Sequence, residues 1–311
     1  MGAWLHENGL LVGLAVLDGL AYAGAVFMVA VGLNLVFGVL RVLNVAHGSL
    51  YAIGGYSAAS IGLFFAAQGL PAWASFLALL LAAVLVGIAL GPVIERLLLR
   101  RMEDSEPVLQ LLVTFALFMI LEDAQKLVWG VRPVVFDLPL KWLGTVDVPF
   151  GTDVIPFTAY QLYVLPGVAV ATLVGLAWLL RRTLVGRMVV AVTADREAAR
   201  ALGIDAGRVT LLTFTAGAGL AALGGALAAP TVSLVPGVGA QTIVLSFAVV
   251  ATAGLGQVEG AALAALLIGL GRSFAVYVEP EFEVVVPYAI MVLVLLIRPQ
   301  GLFGVAETRR I

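Results

Sequence analysis

The chain contains no cysteine. Disulfides, thiolate nucleophiles and cysteine-held metals are therefore excluded. Charge is scarce as well: 12% of the 311 residues are Asp, Glu, Lys or Arg, and the formal net charge is −2. Soluble domains carry about a quarter charged residues, and no stretch here is both long and polar enough to form one. No basic patch points to nucleic acid. The pattern G-x-x-x-x-G-K-[ST] is missing, so any nucleotide that drives this protein has to bind another polypeptide. His47 has no second histidine and no carboxylate cluster beside it in sequence, so no metal site is expected. Nor is there a Ser–His or paired-Asp set that would make a catalytic site. The N-terminal MGAWLHENGL lacks the basic region of a cleaved secretory signal.

What the chain has instead is apolar length, with 62% of its residues hydrophobic. Runs of about 20 apolar residues recur from end to end, each long enough to cross roughly 30 Å of hydrocarbon. A β-barrel would show short alternating segments. The expected fold is therefore all-α, a polytopic membrane bundle forming a single domain over residues 1–311. Spans are expected at about 10–37, 45–66, 72–94, 108–129, 159–180, 209–232, 240–256, 258–277 and 284–298. The pattern falters at Arg41 to Gly48 and again at Gly254 to Gly260. A broken or re-entrant segment at either place reduces nine crossings to eight.

Lys and Arg stay on the cytoplasmic side of a membrane. Arg96, Arg100 and Arg101 follow the third span, six arginines lie between 181 and 208, and Arg298, Arg309 and Arg310 end the chain. Span parity puts all three groups on one face. The loop 130–158, with Asp137, Asp147 and Asp153, then faces outward, as do the N-terminus and the acidic Glu279 to Glu283. Small residues recur every four positions at Gly217, Ala221 and Gly225, and at Ala261, Ala265, Gly269 and Ser273. Such stripes let helix backbones approach closely in lipid. They serve either packing within one bundle or a subunit interface.

One polar stretch interrupts this pattern. TADREAARALGIDAGR, residues 193–208, lies between two long apolar segments. Thr193 or Asp195 can cap a helix start, and Glu197 suits its first turn. Ala198, Ala199, Ala201 and Leu202 favour helix, and Gly203 can end it in the left-handed region. So short a helix is marginal in water alone and requires a partner surface. That surface is either the lipid headgroups or a groove on a cytoplasmic protein to which Ala and Leu are presented.

Here a resemblance enters. EAARALG at 197–203 is similar to the EAA---G loop of the membrane subunits of bacterial ABC importers. GLNLVFGVLRVLNVAHGSLYAIGGY at 32–56, GLGQVEGAALAALLIGL at 254–270 and LVLLIRPQGLFG at 293–304 resemble stretches of the branched-chain amino acid (LIV) permeases, closer to the LivH-type subunit than to the LivM-type. The resemblance implies an inner-membrane transport subunit of a bacterium, multi-pass with a cytoplasmic C-terminus and no catalytic residues of its own. It implies cytoplasmic ATP-binding subunits that hold ATP and Mg, so that no cofactor binds this chain. A second permease subunit of the LivM type, an extracytoplasmic binding protein and membrane lipid complete the implied partners. Glu197, Ala198, Ala199, Arg200 and Gly203 would form the coupling helix in the loop 181–208, with Ala199 at a position too tight for a large side chain. Arg196 and Arg200 would meet acidic groups of the ATPase or anionic lipid.

Asn34, Asn44, His47 and Gly48 are the candidate pathway residues. Where a helix breaks at membrane depth, the freed backbone groups need protein or water. The polar three either cap that break or line the route. Glu122 and Lys126 are four apart and suit an ion pair, Thr114 suits a bond to its own backbone, and Arg272 is expected to snorkel outward alone. Urea or short-chain amides are the runner-up cargo. An ion-coupled secondary transporter is the more distant reading, but it requires midplane carboxylates, which the sequence does not display.

Overall fold

The computed structural model describes residues 9–103, 105–150 and 153–304. Arg309, Arg310 and the first eight residues lie outside this range. Among the described residues twelve α-helices follow one another: α1 Gly9–Leu40, α2 His47–Ala67, α3 Ala74–Leu97, α4 Pro107–Trp129, α5 Leu138–Leu143, α6 Leu165–Arg182, α7 Leu184–Ala194, α8 Arg196–Ala201, α9 Ala206–Ala228, α10 Val238–Ala253, α11 Val258–Val278 and α12 Val285–Ile297. A 3-10 turn, Leu99–Met102, extends α3, and a π-helical turn, Tyr160–Val164, leads into α6.

Seven of these are long and apolar enough to cross a membrane: α1, α2, α3, α4, α6, α9 and α11. The other two expected spans are shorter. α10 has 16 residues and α12 has 13. The reason for α10 is local. Gly237, in the left-handed region, starts it, and Gly254 ends it. Pro299 cannot continue α12.

α1 is the central post of the bundle. Its 32 residues reach about 48 Å at 1.5 Å per residue. α9, α11, α6 and α10 pack around it, and α9 also contacts α2 and α3. The two small-residue stripes lie in these seams. Gly217, Ala221 and Gly225 are buried against α1 and α2, while Ala261, Ala265, Gly269 and Ser273 are buried against α1. A methyl group at Gly269 would stand 2.7 Å from the Ala23 side chain. Both stripes are therefore occupied within the chain, and neither is left to form a subunit interface. α4 and α6 sit at the periphery with most of their surface exposed.

The bundle has two distinct ends. One carries the arginine-rich turns after α3 and α6. The other carries an antiparallel hairpin in the loop 130–158, β1 Thr145–Phe150 and β2 Asp153–Thr158, paired from Thr145 with Thr158 to Phe150 with Asp153. The alternation in TVDVPF half-buries every second residue of β1. A short bridge between Val134 and Leu234 ties this end to the segment before α10.

Candidate functional site

The sequence pointed to a break between Arg41 and Gly48. The chain leaves α1 at Leu40, and α2 starts at His47, deep in the bundle. His47 is fully buried, with Nε2 3.1 Å from the Val29 carbonyl, well back along α1. Ser49 donates to the Phe118 carbonyl in the middle of α4 at 3.2 Å. The start of α10 meets the start of α2 here. A methyl on Gly239 would stand 2.6 Å from the Gly48 carbonyl oxygen, and one on Gly48 would strike Gly239 in return. Backbone thus lies on backbone, which only glycine at both positions permits.

The connecting residues are held from α4. The Val45 amide donates to Thr114 Oγ1 at 3.4 Å, and that hydroxyl reaches the Leu43 carbonyl at 3.2 Å as well as its own Leu111 carbonyl at 3.0 Å. Thr114 therefore bonds beyond its own helix, which its sequence alone did not suggest. Asn44 is fully buried, and neither amide atom has a partner among the described residues. Burying such a group costs free energy unless it finds a hydrogen bond.

Asn34 lies on the opposite side of α1. Its amide donates to the Gln257 carbonyl at 2.6 Å and its oxygen accepts from the Gly256 amide at 2.6 Å. It thereby braces the turn between α10 and α11. The structure brings Asn34, His47 and Gly48 to the central helices but separates their partners: Asn34 holds the 254–257 turn, and His47 touches Val29.

Beneath that turn, at the arginine-rich end, opens a cavity of about 880 Å³. Phe37, Leu43, Phe247 and Leu295 form apolar walls, and Thr193, Gln257 and Gln300 add polar atoms. Among the described residues Arg41 is the charged side chain in this lining. It also lines a neighbouring groove with Glu103, Asp195, Arg196, Glu197 and Arg200. The sequence marks Arg41 only as the start of the break. The signal that marks it is its backbone, at φ +54, which only coordinates reveal.

The polar loop 181–208 folds as two short helices, not one. Thr183 caps α7 by accepting from the Gly186 amide at 3.0 Å. Asp195 caps α8 through the Ala198 amide at 2.9 Å, and Asp205 caps α9 through the Arg208 amide at 3.0 Å. Thr193 instead donates to Val189 inside α7. Gly203, at φ +84, stops α8, and the Ile204 amide closes on the Ala199 carbonyl at 3.0 Å. Ala199 is buried among Val39, Val189, Val192, Ala206 and Val209. It does not present itself to a partner. The exposed face consists of Glu197, Ala198, Arg200 and Leu202, the last 82% exposed.

Arg196 pairs with Glu103, which follows the 3-10 turn of α3. Burial and then Arg200 pull its guanidinium below the ordinary value, while Glu95 opposes them. Glu95, 1% exposed, is the one fully buried carboxylate among the described residues, and it stands near the arginine-rich end of α3. A midplane carboxylate pair, which ion coupling would require, is not found among the described residues.

Two further expectations resolve differently. Lys126 lies 3.5 Å from Glu122, as the spacing suggested, and closer still, at 3.0 Å, to Asp123. Arg272 is not isolated. It pairs with Glu283 and lies 4.0 Å over the Tyr22 ring, because the turn before α12 folds back onto it. No group of three metal-ligating side chains occurs among the described residues.

The family described as "Branched-chain amino acid transport system / permease component" matches residues 15–295. The chain is 27% identical over 297 residues to the high-affinity branched-chain amino acid transport system permease protein LivH of Escherichia coli strain K12, covering 94% of this chain and 96% of that one. It is 26% identical over 299 residues to LivH of Salmonella typhimurium, with the same coverage. It is 28% identical over 302 residues to BraD of Pseudomonas aeruginosa, again over 94% and 96%. No solved structure matches the chain.

Proposed function

From the premise that the chain belongs to the branched-chain amino acid transport permease family, we propose that it is the LivH-type membrane subunit of an ATP-driven importer of leucine, isoleucine and valine. The arginine-rich end, with the C-terminus, faces the cytoplasm of a bacterial inner membrane, and the hairpin end meets an extracytoplasmic binding protein. ATP and Mg belong to separate cytoplasmic subunits. A LivM-type permease completes the membrane part. Lipid covers the exposed apolar faces, such as Leu80, Leu85 and Ile88 on α3 and Leu112, Phe115 and Ile120 on α4.

The observation that carries this reading is the two-sided construction of α8. Its outer face is exposed, while its inner face enters the apolar cluster that also holds Val39, near the end of α1. An ATPase that pulls on Glu197, Ala198 and Leu202 moves α8 as a rigid turn. Ala199 passes the displacement to Val39, and so to the end of α1 and the cavity beside it. Close-packed contacts transmit such shifts because they do not compress. The apolar walls favour an aliphatic cargo over urea.

The test uses the absence of cysteine. With Leu202→Cys as the single thiol, cross-linking in native membranes should yield an adduct with a soluble ATPase carrying a phosphate loop, identified by mass spectrometry. A reactive thiol that captures no such protein where all partners are expressed would refute the coupling role.

A further inference from the structure

The cavity at the arginine-rich end has the composition of an amino-acid site without an assigned carboxylate partner. Its walls are mainly apolar, with Thr193, Gln257 and Gln300 adding polar atoms, and among the described residues the one charged group in its lining is Arg41. Three independent facts converge on that residue. Arg41 stands at φ +54, the only residue other than glycine in the left-handed region among the described residues. It follows the last turn of α1, its amide bonding to Phe37 at 2.8 Å, a place where glycine meets no steric cost. The backbone alone thus gives no reason for an arginine here. The side chain is exposed and pairs with no carboxylate among the described residues, whereas nearby Arg196 is paired with Glu103.

We infer that the Arg41 guanidinium receives the α-carboxylate of the aliphatic amino acid in this cavity, as the last protein contact before release to the cytoplasm. A guanidinium is a planar fork that matches a carboxylate with two parallel hydrogen bonds. Phe37, Leu43 and Phe247 offer the branched side chain a surface out of water. Among the described residues no carboxylate lines the cavity to hold the ammonium group strongly, which suits a site that must let its cargo go. The break after α1 then has a use. The left-handed turn at Arg41 lets the chain reverse into the bundle while its side chain stays at the cavity. Val39, two residues earlier, packs in the cluster with Ala199, so a movement of α8 reaches this contact directly. The inference rests on the permease reading.

Leu255, half exposed in the cavity lining, supplies the probe position. Leu255→Cys gives the assembled transporter a single thiol in this chain. Its maleimide labelling rate is read from the cytoplasmic side in inside-out vesicles. Leucine should slow labelling, and leucinamide, which lacks the carboxylate, should not. Arg41→Gly should raise the leucine concentration for half protection by at least about tenfold. Arg41→Lys should recover part of it. Because glycine suits this backbone, the Arg41→Gly chain should insert and fold, which its melting temperature reports. Equal protection by leucine and leucinamide, or protection unchanged in Arg41→Gly, would overturn the assignment. So would vesicles of negative and neutral lipid that alter labelling as leucine does, since Arg41 would then be holding a lipid phosphate. Uptake of labelled leucine by the same transporter in cells separates the two readings. Uptake without carboxylate-dependent protection removes only the role of Arg41, whereas no uptake removes the permease reading and this inference with it.

Discussion

Two reversals of the chain flank the cavity, and they are built by opposite means. The turn at 254–257 uses glycine in the left-handed region twice, Gly254 at φ +98 and Gly256 at φ +83. It is braced by both amide atoms of Asn34 at 2.6 Å. The reversal at 41–46 places an arginine at positive φ, +54, and its side-chain brace is one threonine hydroxyl at 3.2 and 3.4 Å. The first turn is packed: backbone of Gly301 and Gly304 lies directly against Gly254. The second opens on solvent-accessible space. Glycine appears where close approach is the requirement. A side chain in a costly conformation appears where something has to be held out into a cavity.

The comparison breaks most visibly at Gly254. A methyl there would stand 2.6 Å from the Gly304 amide nitrogen and 3.0 Å from the Gln300 carbonyl, both backbone atoms. It would also hold an alanine at a positive φ. Backbone strain and overpacking each cost about 1–3 kcal/mol. Gly254→Ala should therefore lower stability by roughly 3 kcal/mol or more, seen as a markedly lower melting temperature of the purified transporter. A melting temperature within error of the parent would mean that the C-terminal segment does not pack on this turn as described.

Much of this architecture was legible in the sequence because lipid imposes simple rules. Long apolar runs, arginine asymmetry and the two breaks are all readable without coordinates, and so are the caps at Asp195 and the stop at Gly203. Three things were not. The hairpin after α5 was hidden because six-residue strands carry little periodic signal. The inward direction of Ala199 was hidden because a six-residue helix leaves its facing undetermined until its neighbours are placed. The partners of Asn34 and Arg272 were hidden because they come from segments remote in sequence, 223 residues away for the Gln257 carbonyl. Sequence marked Asn34 as important for being polar at depth; only the fold shows what it touches.

Asn34→Ala tests the braced side of the comparison. It leaves the Gly256 amide and the Gln257 carbonyl without their partner in a partly buried turn. Orphaning such groups costs about 1–3 kcal/mol. Stability should fall by roughly 2 kcal/mol, and backbone exchange at Gly256 should quicken. Slow exchange there in the variant would show that the glycines alone hold the turn.

The smallest effect belongs to Thr114→Val, which probes the looser side. Valine keeps the shape and removes the hydroxyl. The bond to Leu111 is local to α4, and valine in a helix forgoes it without harm. What remains is the weak pair to Leu43 and Val45, long for hydrogen bonds, and Leu43 itself lines the cavity, where water can take the place of the threonine. The expected loss is therefore about 1 kcal/mol, with amide exchange at Val45 rising before any change in melting temperature is resolved. Should Thr114→Val cost as much as Asn34→Ala, the 41–46 reversal would be as rigid as the glycine turn. Arg41 would then be locked in place by packing, and its left-handed backbone would need no explanation from a ligand. If the cost is small, the reversal is held loosely, the arginine is free to follow its cargo, and the strain at Arg41 has to be justified by what its side chain binds.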